Sequence, residues 1–172
     1  YTPVSFSCSF TKEECHIYEK SKDISYISSD KKLIPGHWLR HVIYERVRET
    51  IDCYGSITGV RLENKLDSLK DYRYQIVAEN NPYYSSEKII DSFVTGTIPI
   101  YWGSRGITRQ FDESGILFFE SVDELISLLP QCTTERFESM SDVIEENYQR
   151  ALQFCSVEDW LYENTDVFES EI

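Results

Sequence analysis

The sequence contains few basic residues for its size. Lys and Arg make up 17 of its 172 residues against 30 Asp and Glu, which gives a formal net charge of −13. A chain this acidic repels polyanions, and this argues against a general binder of nucleic acid or of anionic membranes. A site for an anionic ligand would therefore need cations placed locally, so each well-placed Lys or Arg is informative.

Several other features are missing. The sequence has no apolar run long enough to span a membrane, no stretch typical of a signal peptide and no Asn-x-Ser/Thr acceptor. Its five cysteines show neither a disulfide framework nor the paired spacing of a metal site. We expect free thiols in a reducing compartment, and hence a cytoplasmic protein. The sequence leaves peripheral membrane association open.

What is present favours a packed α/β protein. Hydrophobic residues make up 41% of the chain, which is enough for the core of one domain. The pattern predicts strands over residues 4–10, 57–62 and 116–119, and helices over residues 38–54, 65–72, 121–130, 133–154 and 157–168. Together with the central stretch described next, this alternation predicts a doubly wound, Rossmann-like parallel sheet. We place this domain over residues 1–132, with a C-terminal helical extension over residues 133–172 packed on it.

The central stretch gives the clearest pattern. A short apolar run over residues 74–78 is typical of a buried strand, and a second run over residues 97–102 is another. Between them, Ser85 or Ser86 can cap a helix that Gly96 ends. This strand, helix, strand order predicts a βαβ unit of a parallel sheet.

Polar residues gather where the first of these strands ends and the helix begins. Ligands of such sheets lie beyond the carboxyl ends of the strands, against helix N-termini. There, backbone N–H groups and Lys88 suit a phosphate, and the neighbouring carboxylates suit sugar hydroxyls. The same residues also fit an ordinary helix start with a solvated Lys88, and the residue types alone leave both interpretations open.

The order of residues across this stretch resembles a known signature. Glu79-Asn80, a short Tyr-containing loop, Glu-Lys-Ile-Ile-Asp from Glu87 and Gly-Thr-Ile-Pro-Ile-Tyr-Trp-Gly-Ser from Gly96 follow one another. This series is similar to the donor-binding signature of the α-1,3-fucosyltransferases, in particular the bacterial and viral type. The resemblance covers most of the chain but only the C-terminal half of such an enzyme.

The resemblance implies a fold and a reaction. The family's enzymes have the GT-B architecture, in which two Rossmann-like domains face each other, with the donor in the C-terminal one. The implied reaction is inverting transfer of fucose from GDP-fucose to the hydroxyl of a glycan acceptor. Because the acceptor site and the catalytic base lie in the family's N-terminal domain, we assign no catalytic residue here. We expect the isolated chain to bind donor but to turn over poorly.

The resemblance also implies site residues. The matching positions are Arg40, Glu79, Asn80, Tyr83, Tyr84, Ser86, Glu87 and Lys88. Arg40 and Lys88 would neutralise the diphosphate, while Asn80, Tyr84 and Glu87 would hold ribose, pyrophosphate or fucose. Glu79 would lie just behind them, and Tyr83 is a substitute for Tyr84 because the loop is shorter than in the bacterial pattern. No Asp-x-Asp motif is present, so we expect neither a cofactor nor a metal at the donor site.

Two alternatives remain open. The first is a glycosyltransferase of the same fold that uses another nucleotide sugar, since few residues here recognise the base or the hexose. The second is a non-catalytic binding or assembly domain, in which the acidic helices over residues 133–168 dock a partner. The second alternative predicts that Lys88→Ala leaves nucleotide binding unchanged.

Overall fold

A computed structural model describes residues 7–156 and Tyr162. The strands are Lys22–Ile27 (β1), Asp52–Tyr54 (β2), Tyr72–Ala78 (β3), Ile98–Trp102 (β4) and Leu117–Phe118 (β5). The helices are Pro35–Val47 (α1), Glu87–Phe93 (α2), Val122–Leu128 (α3), Thr134–Ser139 (α4) and Ser141–Leu152 (α5). Short 3-10 turns lie at Ser56–Thr58, Lys65–Ser68, Arg105–Arg109, Glu113–Gly115 and Leu129–Gln131. Within these residues, no helix combines the length and apolarity needed to cross a bilayer.

The five strands form one parallel sheet in the order β2-β1-β3-β4-β5. From β1 the chain passes through α1 outward to β2, and β3 then returns to the other side of β1. The direction of winding therefore reverses between β1 and β3, which is the switch point where open α/β sheets bind their ligands. The predicted doubly wound fold is confirmed.

Helices cover both faces of the sheet. On one face α1, α3 and α4 enclose a core that includes Ile43, Tyr74, Ile76 and Leu125. On the other face α2 and α5 enclose a second core, to which β3 contributes Val77. Neighbouring residues of β3 thus point to opposite cores, as the two-residue period of a strand requires.

The predicted βαβ unit is confirmed with small shifts of its ends. The first strand begins two residues earlier, at Tyr72, and the helix begins after Ser86, whose Oγ accepts the N–H of Lys88. Gly96 follows the helix with φ of +68°, a left-handed conformation that glycine adopts at little cost. The serine cap and the glycine stop act on residues next to them in the chain. The sequence alone therefore predicts them correctly.

The predicted helix over residues 38–54 is wrong at both ends. The helix starts at Pro35, because proline fits the first helical position, where no N–H partner is needed. It ends at Val47, and Asp52–Tyr54 instead forms strand β2 by pairing with β1. This pairing is a tertiary interaction that overrides the local helical pattern.

Two further predictions in this region are also corrected. In place of a strand over residues 57–62, the chain forms a 3-10 turn and one isolated antiparallel bridge between Gly55 and Val60. In place of a helix over residues 65–72, a 3-10 turn covers Lys65–Ser68, and β3 follows almost directly.

The predicted first strand, residues 4–10, is not formed in its described part. Residues 4–6 lie outside the described residues, and residues 7–10 form a loop against α2. The backbone N–H and the Oγ of Ser9 both donate to the Asp91 carboxylate, each at 2.7 Å, so this segment is bonded to a side chain instead of a strand. The first strand of the described sheet is β1, in a stretch for which the sequence pattern predicts no strand.

The C-terminal helices also differ from the prediction. The helix expected over residues 133–154 is divided at Met140, whose backbone (φ −101°, ψ 12°) closes α4 before α5 begins. The helix expected over residues 157–168 lies outside the described residues apart from Tyr162. The Phe137 ring packs edge-to-face on Tyr74, with ring centroids 6.0 Å apart. The division of the chain at residue 132 stays a prediction.

Helix α1 approaches the end of β3 so closely that only glycine fits between them. The N–H of Gly36 donates to the carbonyl of Asn80 at 3.1 Å. A Cβ atom at position 36 would lie 2.3 Å from the Asn80 oxygen and 2.4 Å from the Glu79 oxygen, both backbone atoms that cannot rotate away. This contact sets the start of α1 against the carboxyl edge of the sheet.

Helix α2 is joined to the same strand end by a buried carboxylate. Glu79 is completely buried. Its Oε1 accepts the backbone N–H of Ser86 at 2.8 Å, and its Oε2 accepts the Ser86 hydroxyl at 2.7 Å and the Lys88 ammonium at 3.4 Å. Its own N–H donates to the Trp102 carbonyl at 2.9 Å, which continues the ladder with β4.

We predict that Gly36→Ala destabilises the chain by about 3 kcal/mol, because the added methyl group must push α1 away from β3. Urea unfolding measures this decrease in the free energy of unfolding. Gly59→Ala is the comparison, since no atom lies within 4 Å of its Cβ position and its φ of +76° alone carries a cost, which should be about 1 kcal/mol. Equal losses in the two variants would contradict the close approach of α1 to β3.

We predict that Glu79→Ala also costs about 3 kcal/mol, because it leaves Lys88 and two Ser86 donors without their buried acceptor. The matched variant is Glu87→Ala, which removes a carboxylate 37% exposed beside the same lysine; it should cost less than about 1 kcal/mol. Urea unfolding of both variants checks the difference. A loss in Glu79→Ala no larger than that in Glu87→Ala would show that Glu79 does not hold α2 to β3.

Candidate functional site

A cavity of about 180 Å³ lies at the switch point between β1 and β3. Residues 27–29, at the end of β1, and residues 75–78 of β3 line it together with three cations. These cations are Arg40, Lys65 and Lys88. In a chain with a net charge of −13, three cations around one cavity make it a candidate site for an anion.

Arg40 reaches the cavity from helix α1. By position alone it would be a surface cation, but the structure buries it to 7% exposure. Its Nε donates to the Ala78 carbonyl at 2.9 Å and its Nη2 to the Asn80 side-chain oxygen at 2.6 Å. The Tyr26 hydroxyl, on β1, donates to the Arg40 carbonyl at 3.0 Å and fixes this turn of α1. The guanidinium has five N–H donors, and among the described residues these two bonds use two of them.

Asn80 is positioned by these contacts as well. Its side-chain oxygen accepts from Arg40, and its carbonyl accepts from the start of α1. Beside it lies His37, a buried residue whose Nδ1 accepts the N–H of Leu33 at 3.2 Å. Burial and the neighbouring Arg40 lower the pKa of His37. The histidine is therefore neutral at pH 7, and it leaves the positive charge here to Arg40.

Lys88 reaches the cavity from the first turn of α2. Its Nζ donates to the Ser86 hydroxyl at 2.8 Å, to Glu87 Oε1 at 3.2 Å and to Glu79 Oε2 at 3.4 Å. Partial burial raises the pKa of Glu87, but the adjacent Lys88 ammonium outweighs it, and the pKa lies below its ordinary value. Glu87 is thus a carboxylate at neutral pH and can accept a hydrogen bond from a sugar hydroxyl.

Two backbone N–H groups at the start of α2 have partners within the chain. The Ser86 N–H donates to Glu79 and the Lys88 N–H to the Ser86 hydroxyl. These two N–H groups are therefore not available to a phosphate, and the use of the other N–H groups of this turn stays a prediction. An anion at this edge would be held by side-chain cations.

The two tyrosines of the loop lie farther out. Tyr83 is 86% exposed, and its N–H donates to the Asn81 side chain at 2.9 Å in a local turn. Tyr84 is half-buried, and its carbonyl accepts the Ser104 N–H at 3.3 Å. Among the described residues, neither ring lines the cavity. Of the eight predicted site residues, the cavity is lined by Arg40 and Lys88, and it is not lined by Glu79, Asn80, Tyr83, Tyr84, Ser86 or Glu87.

Sequence reasoning missed Lys65 and the two serines after β1. The Lys65 ammonium forms an ion pair with Asp91, a carboxylate buried in α2. No local sequence pattern predicts this ion pair, because its two residues are 26 positions apart in the chain. Ser28 and Ser29 could have been found, since polar residues directly after a strand mark the carboxyl edge of a sheet.

Comparison with known proteins gives three findings. No family model matches the chain. It is 29% identical over 133 residues to the alpha-(1,3)-fucosyltransferase FucT of Helicobacter pylori, in a match that covers 72% of this chain and 27% of that protein. Crystal structures described as α1,3-fucosyltransferase with GDP and with GDP-fucose share its fold, with TM-scores of 0.60 and 0.57.

The structural matches concern the fold, because sequence identity in both is 24%. The first covers 89% of this chain and 48% of the solved one, and the second covers 88% and 50%. The chain therefore spans about a quarter of the curated relative and about half of the solved structures. The chain is therefore similar in sequence to an α-1,3-fucosyltransferase and in fold to solved α1,3-fucosyltransferases, in line with the resemblance.

Proposed function

We propose that this chain is the donor domain of a glycosyltransferase, which binds GDP-fucose and presents it for inverting transfer to a glycan hydroxyl. The observation that supports this proposal is the cavity at the switch point, with Arg40, Lys65 and Lys88 in its lining. A nucleoside diphosphate is strongly anionic, and a chain this acidic binds it only where cations are concentrated. The relatives with GDP and GDP-fucose in their descriptions share the fold that forms this cavity.

The charges in the cavity distinguish Arg40 from the two lysines. Lys65 faces the Asp91 carboxylate, and Lys88 faces those of Glu79 and Glu87. Arg40 bonds only neutral oxygens among the described residues. A buried guanidinium without a counter-ion is costly, and a diphosphate oxygen would relieve that cost. We therefore assign Arg40 the principal contact with the diphosphate.

We assign Lys88 a second, weaker contact with the diphosphate. Its ammonium is shared among three oxygens, and its side chain remains 27% exposed. A lysine of this kind can turn one N–H toward a phosphate without leaving the Ser86 hydroxyl. Glu79 is then a positioning residue, which holds Ser86 and Lys88 from behind and does not touch the donor. Glu87 and Asn80 lie at the carboxyl edge of the sheet, where their side-chain oxygens can accept hydrogen bonds from hydroxyl groups of the ribose or the sugar.

The chemistry follows from these positions. The acceptor hydroxyl attacks the anomeric carbon while the bond to GDP breaks, and negative charge grows on the leaving diphosphate. Arg40 and Lys88 stabilise that charge, which lowers the barrier most when both are held in place before reaction. Glu87 is paired with Lys88 and suits the role of hydroxyl acceptor better than that of base. The base and the acceptor site belong, in this proposal, to a part of the enzyme outside this chain.

A second candidate is transfer from another nucleotide sugar. Cations recognise the diphosphate and not the base, and the cavity lining offers no other charged side chain. A comparison of nucleotides therefore has to separate the two candidates.

We predict that calorimetric titration detects saturable binding of GDP and GDP-fucose to the chain. The similarity to the fucosyltransferases, and not the charge of the cavity, leads us to expect weaker binding of UDP. Arg40→Ala should weaken GDP binding about tenfold to a hundredfold, because hydrogen bonds to a charged group contribute about 1.5–3 kcal/mol. The control is Arg46→Ala on the same helix, whose side chain is 50% exposed and paired with Asp123; it should leave Kd unchanged. Equal Kd values for GDP and UDP would favour another nucleotide sugar.

Lys88→Ala tests the proposal against a non-catalytic domain. We expect GDP binding to weaken about tenfold, since one charge-assisted contact is lost. Lys70→Ala is the matched control, because Lys70 pairs with Asp67 at 2.6 Å and does not line the cavity. Circular dichroism confirms that each variant is folded. Unchanged GDP binding in both Arg40→Ala and Lys88→Ala would contradict the proposed donor site.

A further inference from the structure

Three of the five cysteines converge although they are distant in the sequence. The Cys15 sulfur lies 3.7 Å from that of Cys8 and 3.3 Å from that of Cys155. All three sulfurs lie within 4.8 Å of one another. We call these three residues the thiol cluster. The other two cysteines, Cys53 on β2 and Cys132 directly after the turn Leu129–Gln131, belong to the opposite core.

The surroundings of the thiol cluster are mostly apolar. Cys15 is buried at 5% exposure, and Cys8 and Cys155 are half-buried against the core that contains Phe154. One buried thiol behaves as a small hydrophobic side chain and needs no explanation. Three thiols from distant parts of the sequence, however, lie next to one another here. Apolar packing does not require three adjacent sulfurs, so this arrangement calls for another explanation.

The distances fit three ligands around one ion. Zinc–thiolate bonds are about 2.3 Å long, so sulfurs at the corners of a tetrahedron lie about 3.8 Å apart. The 3.7 Å between Cys8 and Cys15 is close to this value. A disulfide needs about 2.05 Å between two sulfurs, and it would leave the third thiol without a role. Among the described residues, no His, Asp or Glu joins the group, so a fourth position would be open.

We propose that the thiol cluster binds one soft d10 cation, Zn²⁺ or Cu⁺, through three thiolates. Thiolates select these ions over harder ones. Binding forms three metal–sulfur bonds and releases three thiol protons to solvent, with no change of oxidation state. The sequence gives no sign of this site, because the spacing of the three residues matches no known metal motif.

Such an ion would join the beginning of the described chain to its last described helix. The N–H of Cys8 already donates to the Phe154 carbonyl at 3.0 Å, and the Tyr148 hydroxyl donates to the Cys15 carbonyl at 3.1 Å. The next residue, Ser9, bonds the Asp91 carboxylate that pairs with Lys65 of the donor cavity. The ion would therefore stabilise the segment behind the cavity, and none of its ligands lines the cavity itself.

Cobalt(II) is the probe for the first experiment. The reduced, metal-free chain is titrated with Co²⁺ without oxygen, and the near-ultraviolet sulfur-to-cobalt charge-transfer band is recorded. We expect the band to saturate at one equivalent and to disappear on addition of Zn²⁺ or Cu⁺. The unfolding temperature should rise by several degrees with Zn²⁺ and fall again with a chelator. No band with Co²⁺ and no one-to-one binding of Zn²⁺ or Cu⁺ would overturn the proposal.

Two cysteine variants and a second measurement on the wild-type chain complete the test. They allow a decision even if one variant does not fold. Cys15→Ser should lose the band, whereas Cys53→Ser, outside the thiol cluster, should keep it. If Cys15→Ser does not fold, alkylation of the native wild-type chain decides, with peptide mass spectrometry as the readout. Zn²⁺ should then protect Cys8 and Cys155 and leave the rate at Cys53 unchanged. Equal rates with and without Zn²⁺, or a native mass two daltons low from a disulfide within the cluster, would contradict the site.

Discussion

The buried carboxylate of Glu79 is the constraint on which the candidate site depends. It lies at the carboxyl end of β3, where it accepts two donors of Ser86 and the Lys88 ammonium. A carboxylate with no exposure to water is stable only when its lone pairs are satisfied. The strand end and the first turn of α2 therefore cannot separate without exposing an unpaired charge. As a consequence, Lys88 is held at the cavity. The close contact between Gly36 and the end of β3 brings α1 to the same edge of the sheet.

Charge balance explains how an acidic chain can offer a site for an anion. Lys65 and Lys88 face carboxylates, so they add little net charge to the cavity. Arg40 is different, because its partners are an amide and a carbonyl oxygen. The site thus combines one uncompensated cation with two that an incoming diphosphate can share. This arrangement favours a multiply charged ligand over a single carboxylate.

The parts that could be predicted from sequence are those fixed by local signals. The βαβ unit has an apolar run, the cap Ser86 and the stop Gly96, and it matches the structure within two residues. Strands β1 and β2 were missed, because β1 begins with two charged residues and β2 exists only through its pairing. The same distinction holds at the site. Arg40 and Lys88, which the motif predicts as site residues, line the cavity, whereas Lys65 and the thiol cluster are assembled by contacts between distant segments.

A crystal structure of the chain with GDP tests most directly whether the cavity between β1 and β3 binds the diphosphate. We expect density for the diphosphate in this cavity, within hydrogen-bond distance of the Arg40 guanidinium and the Lys88 ammonium. Glu79 should keep both of its bonds to Ser86. A diphosphate bound elsewhere, such as the cavity beside Trp102, Arg105 and Glu120 at the ends of β4 and β5, would contradict the account.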